Sequence, residues 1–96
     1  MTYLKVRWIH QHPEDPVILL SELDNNRYEV RKVEIYTDGR MGFASENQCS
    51  PDTRLGEKPI PPMSEIARNP EFRAEPTNAQ EFEQAWKTAS AHGRQD

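Results

Sequence analysis

Residues 3–10, Tyr3-Leu4-Lys5-Val6-Arg7-Trp8-Ile9-His10, decide the fold class. Leu4, Val6 and Trp8 fall on one side and Lys5 and Arg7 on the other, the period-two pattern of a half-buried strand. The next six residues, Gln11 to Pro16, contain two prolines, which cannot donate to a ladder and so mark a turn. Val17 to Leu23 resumes as a more buried strand, closed by Asp24-Asn25-Asn26, residue types that tolerate left-handed backbone angles. Two consecutive strands with a short break predict a hairpin.

Outward from that hairpin the same logic adds two strands. Tyr28 to Thr37 changes parity midway, with Tyr28 and Val30 on one side and Val33 and Ile35 on the other, so a bulge is expected around Arg31-Lys32. Asp38-Gly39 is a strong hairpin signal of type I′, and Arg40 to Ser45 returns with Met41 and Phe43 on one face. Glu46 to Pro62 reads as a long irregular loop, a place where binding residues often sit. Met63 to Asn69 predicts two helical turns stopped by Pro70, followed by a short extended piece over Phe72 to Glu75. Thr77 with Gln80 has capping-box spacing, and Phe82, Ala85, Trp86 and Ala89 recur at helical intervals up to His92-Gly93. The expected architecture is α+β: a four-stranded antiparallel meander, a short helix, and a C-terminal helix packed on one sheet face through Trp86. Residues 1–92 form the expected single domain and 93–96 a frayed tail.

Composition narrows function. Ninety-six residues with 34% hydrophobic and 29% charged side chains suit one thin core rather than an enclosed catalytic chamber. The longest apolar run, Val17 to Leu20, is far below the roughly 20 residues of a membrane span. No secretory signal pattern opens the chain and Cys49 is the single cysteine, so a reducing cytoplasm is expected. The net charge of −4 divides as 8 acidic and 6 basic side chains on each side of a cut after Gln48, a balance that suits a basic protein partner or plain solubility better than nucleic acid or anionic membrane.

The chemical motifs are weak. His10 and His12 are spaced to point the same way from a strand end, and Glu14, Asp15 or a folded-back Cys49 could supply a third ligand, but none has convincing spacing and Pro13 breaks the strand, so a surface pair is expected and no metal. Cys49 lacks a nucleophile turn, and the four glycines are too dispersed for a phosphate cradle. No catalytic residue and no cofactor are therefore assigned, and an enzyme is not expected. A nucleic-acid reader would use Tyr3, Lys5, Arg7, Lys32 and Tyr36 as an outer face; Glu22 and Glu34 are expected instead to pair with Arg7 and Lys32 across the ladder. The turns are richer. Glu14, Asp15, Asp24, Glu34, Asp38 and Glu46, with Tyr36 as aromatic anchor, are the candidate partner-binding residues.

Taken in order, the blocks LKVRWIH (4–10), SELD (21–24), EVRKVEI (29–35), DGR (38–40), TRLGE (53–57) and EFE (81–83) with Trp86 resemble a family of small bacterial domains of unknown function, over roughly residues 3 to 89. The chain is more loosely similar to immunity proteins of polymorphic and contact-dependent toxin systems. That resemblance implies a cytoplasmic protein that binds a cognate toxin domain and occludes its active site. The alternative is a small nucleic-acid-binding or regulatory module.

Overall fold

The structure is a computed structural model that describes residues 1–93. Strands β1 (Thr2–Trp8), β2 (Ile18–Leu23), β3 (Glu29–Ile35) and β4 (Met41–Ser45) form the expected antiparallel meander. Helix α1 (Met63–Ile66) is half as long as its apolar pattern suggests, and β5 (Phe72–Glu75) and α2 (Ala79–Gly93) complete the chain. The sheet therefore has five strands, not four, in the order β4-β3-β2-β1-β5. The extended piece expected at Phe72–Glu75 is the fifth: its four residues pair antiparallel with Lys5 to Trp8. Helix α2 runs to Gly93, so residues 94–96 of the expected frayed tail lie outside the described residues. No helix among the described residues is long and apolar enough to cross a membrane.

Register explains which residues share a face. Lys5, Leu20, Val33 and Phe43 lie opposite one another across four strands, as do Val6, Leu19, Glu34 and Gly42. Because opposite residues point the same way, α2 covers the first set. Its Phe82 and Ala89 join Leu20, Val33 and Phe43 in one core, with Trp86 edge-on to Phe43 at 5.5 Å. The alternating residues Leu4 and Val6 lie on the other face, where they cluster with Leu23 and Phe72 of the sheet beneath Ile60 and Ile66. The helix thus packs on the Lys5 side of β1, and a second small core occupies the side read as inward from the sequence.

Neither tight turn, β2–β3 nor β3–β4, is of type I′, which needs positive φ at both central residues; each has a single one. Gly39 (φ 91) and Arg27 (φ 67) carry it, each after an aspartate that accepts backbone N–H groups: Asp38 from Arg40, and Asp24 from Asn26 and Tyr28. This is the three-residue loop in which a type I turn is followed by a left-handed residue. The parity change in β3 comes from Val30: Glu22 faces Arg31 but Leu23 faces Glu29, which leaves Val30 extra, one residue before the expected bulge. At α2 the cap is Asn78, not Thr77. Asn78 Oδ1 accepts the Glu81 N–H at 2.8 Å, and Thr77 Oγ1 donates to the Glu81 carboxylate at 2.6 Å.

Helix α2 is pinned by a polar network. Arg31 donates to both oxygens of buried Glu22 at 2.7 and 3.0 Å and also pairs with Glu83, while Tyr3 Oη donates to Glu22 at 2.7 Å. The guanidinium lies 5.0 Å from the Phe82 ring centre and 5.1 Å from that of Trp86. These donors hold the Glu22 carboxyl below the usual carboxylate range, the Arg31 hydrogen bonds being the main cause. The pairing expected between Glu22 and Arg7 is absent because Arg7 stands opposite Ile18; its guanidinium meets Glu75 at 3.1 Å instead.

Candidate partner-binding cleft

The proline turn between β1 and β2 builds one wall of a cleft. Trp8 N–H donates to Val17 O at 2.8 Å and Val17 N–H to Ile35 O at 2.8 Å, so the turn is tied to β3 as well as to its own hairpin. His10 sits inside it. One ring nitrogen, Nδ1, accepts the His12 N–H at 2.9 Å, and the other, Nε2, donates to Pro16 O at 2.8 Å. The two histidine rings stack with centres 5.6 Å apart, and the Trp8 and His10 rings meet edge to face with centres 4.4 Å apart. Both nitrogens of His10 thus serve the turn. Among the described residues no group of three or more His, Cys, Asp or Glu side chains is placed to hold a metal ion.

The loop after β4 builds the other wall. It does not wander over the surface but folds back along β4: Ser50 N–H donates to Phe43 O at 2.8 Å, and Ser50 Oγ accepts the Phe43 N–H at 3.0 Å. Exposed backbone groups of an outer strand are thereby paired. Thr53 is buried against Gly42 and donates to Glu34 Oε1 at 3.2 Å. A Cβ at position 42 would overlap Thr53 Oγ1, so glycine is what allows this close approach.

Between these walls lies a cleft of about 620 Å³ in which Trp8 and Tyr36 supply aromatic surface and Glu14, Asp15, Glu34 and Asp52 supply carboxylates. One cation lines it. Arg40 stacks over Tyr36 with its guanidinium carbon 4.7 Å from the ring centre, and its Nε donates to Asp38 at 2.9 Å. Burial pushes the Glu34 carboxyl above its ordinary range, partly opposed by the Lys32 charge. Tyr36 is raised by burial and by the nearby Glu34 and Asp52 charges. Asp38 is lowered, chiefly by the Arg40 backbone N–H. The cleft therefore concentrates negative potential beside flat aromatic surface.

Of the residues singled out in the sequence, Glu14, Asp15, Glu34 and Tyr36 come together here, and Asp38 adjoins them through Arg40. Asp24 and Glu46 do not. They lie at the other end of the sheet, beyond Leu23 and Ser45, and Asp24 is occupied by its own turn. Trp8, Arg40 and Asp52 were not singled out as binding residues. Trp8 carried a signal, since its alternation with Leu4 and Val6 sets it on the Glu34 face; nothing in the local sequence places Asp52 beside Tyr36. The outer face imagined for nucleic acid is divided. Tyr3, Lys5 and Arg7 lie on the α2 side, whereas Lys32 lies on the opposite side, bonded to Arg54 O at 2.7 Å, and Tyr36 lines the cleft. Nor do Glu34 and Lys32 form the expected pair: Glu34 bonds Thr53, and Lys32 Nζ lies 3.4 Å from Glu29.

A family model described as a domain of unknown function (DUF6881) matches residues 2–91. The chain belongs to the DUF6881 family. That match spans every residue lining the cleft, and the DUF6881 description attaches no activity to any of them. No curated protein and no solved structure matches the chain significantly.

Proposed function

We propose that this DUF6881 domain acts by binding, as an immunity protein does: it seats a basic segment of a cognate bacterial toxin domain in the acidic cleft and so occludes the toxin's active site. The observation that carries this reading is the gathering of four carboxylates and two aromatic side chains around a guanidinium already stacked on Tyr36. An incoming arginine or lysine finds the two features that recognise such groups, a ring face and carboxylates, of which Glu34 is partly desolvated. Negative potential focused by the cleft also speeds encounter with a basic partner. The same carboxylates repel phosphate, and the division of Tyr3, Lys5 and Arg7 from Lys32 and Tyr36 leaves the nucleic-acid alternative without a continuous basic, aromatic face.

The test is co-purification of the domain with the product of the adjacent gene, followed by titration calorimetry at two salt concentrations. Binding that weakens with salt and falls at least tenfold on Asp15→Lys or Tyr36→Ala, both variants retaining the thermal midpoint, supports the reading. A neighbouring product that neither binds nor harms cells, or binding indifferent to both substitutions, removes it.

A further inference from the structure

On the sheet face opposite α2, Ile60 and Ile66 pack against the Leu4, Val6 and Leu23 cluster but do not cover all of it. A cavity of about 390 Å³ remains there, walled mainly by the carbon side chains of Leu4, Val6, Leu19, Ile60, Ile66 and Phe72. It is open to solvent and within the volume range of small-molecule sites, and a ligand seated there would take its apolar wall out of water.

The polar atoms on its wall define the chemistry of the occupant. Glu29, with a side chain 5% exposed, accepts hydrogen bonds from Gly56 N–H at 2.6 Å and Ser21 Oγ at 3.1 Å, and lies 3.4 Å from Lys32 Nζ. Ser21 spends its hydroxyl proton on Glu29, so towards the cavity it offers lone pairs alone. Glu65 on the roof adds a second carboxylate. Asn69 adds a side-chain amide whose Oδ1 is taken by the Glu71 N–H. The two carboxylates oppose an anion, and the Ser21 and Glu29 oxygens admit a hydrogen-bond donor. The roof is pinned by Arg27, whose Nε and Nη2 donate to Ile60 O at 2.7 Å and Pro61 O at 2.8 Å. Arg27 itself is held at φ 67, a conformation that costs a non-glycine residue energy and persists where surrounding bonds enforce it.

We propose that this cavity is a binding site for a small uncharged molecule with an apolar ring or short chain and one O–H or N–H donor, held by Ser21 and Glu29 at its polar end. It adjoins the acidic cleft at Leu19 and is independent of the function assigned to that cleft.

The experiment is a fluorescence and NMR titration of the full chain with 1-naphthol, with 1-naphthoate as the anionic counterpart. Saturable binding of 1-naphthol below about 1 mM is expected, at least tenfold tighter than 1-naphthoate, with shifts centred on the methyls of Leu4, Val6, Ile60 and Ile66. Ile66→Trp from the roof and Val6→Phe from the floor should each abolish binding by filling the space. No saturation, equal affinity for the two probes, or shifts centred elsewhere overturns the proposal, and these readouts stand even if a filled variant fails to fold. Undiminished binding in a folded, filled variant overturns it as well.

Discussion

Replacing Arg31 by Met tests what fastens α2 to the sheet. Met keeps much of the aliphatic stem that packs near Phe82 and Trp86 but removes the guanidinium that reaches Glu22 at 2.7 and 3.0 Å. The side chains of Arg31 and Glu22 are 20% and 8% exposed, so the pair is largely desolvated, and its loss strands a carboxylate whose remaining donor is Tyr3. Breaking a buried pair from one side costs about 3–5 kcal/mol. Glu83, 46% exposed, adds little, which points to the lower end, about 3 kcal/mol. In a domain of this size each kcal/mol moves the midpoint by about 4–8 °C, so thermal unfolding followed by circular dichroism should fall by roughly 12–24 °C at pH 7. Adding Glu22→Gln removes the stranded charge yet keeps an acceptor for Tyr3, and the double variant should regain about 1–2 kcal/mol. The pH dependence reverses too. In the parent protein Glu22 is lowered, so its contribution is present above the ordinary carboxylate range and is lost as pH falls through the depressed value. Without Arg31, burial raises the same carboxyl, and the single variant should gain stability on that descent relative to the parent. A double variant no more stable than Arg31→Met at pH 7 would refute the claim that a stranded charge is what the substitution creates.

Two further substitutions probe the cleft wall. Gly42→Ala should cost about 1–3 kcal/mol by urea midpoint because its methyl overlaps Thr53 Oγ1, and Thr53→Ala in the same chain should recover part of that loss; no recovery would mean that the clash is not the cause. Glu34→Gln should raise the thermal midpoint at pH 7. Its carboxyl is raised by burial, so the stability linked to the protonated form is full below the unfolded value and lost as pH rises through the raised one. The amide keeps the neutral shape, the advantage should vanish near pH 4, and equal midpoints at both pH values would contradict the burial argument.

Local pattern made the strands legible, and long-range pairing made the rest hard to read. Alternation in YLKVRWIH located β1 correctly, yet which of its faces meets α2 depends on register across four strands, and a strand with apolar residues on one side and Tyr3 on the other suits a sheet covered on both faces. Phe72 to Glu75 is too short to declare itself as a strand without its partner Lys5 to Trp8. The turns kept their aspartates and positive φ values, but Arg27 in the left-handed position carries no glycine to announce it. For the candidate site, the acidic turn at Glu14-Asp15 and the anchor Tyr36 could be picked out singly. Their meeting with Asp52 depends on Gly42 and Thr53, two small residues 11 positions apart whose contact no periodicity encodes.

The two-sided covering also accounts for where the cleft sits. A sheet with α2 on one face and the 60–72 segment on the other has its middle consumed by packing. What remains open is the end where the proline turn and the β3–β4 hairpin project, beyond the last residues that either cover reaches. There the chain places Trp8 and Tyr36 half-buried, with carboxylates that neither core needs. Burying Glu34 works against stability, since its carboxyl is raised by desolvation. Apart from the bond it accepts from Thr53, Glu34 gains little from the fold, and the proposed binding role would account for its place beside the ring faces and the stacked guanidinium. Glu22 is the contrast within the same sheet, for its buried charge is matched by Arg31 and Tyr3 and serves to hold the helix.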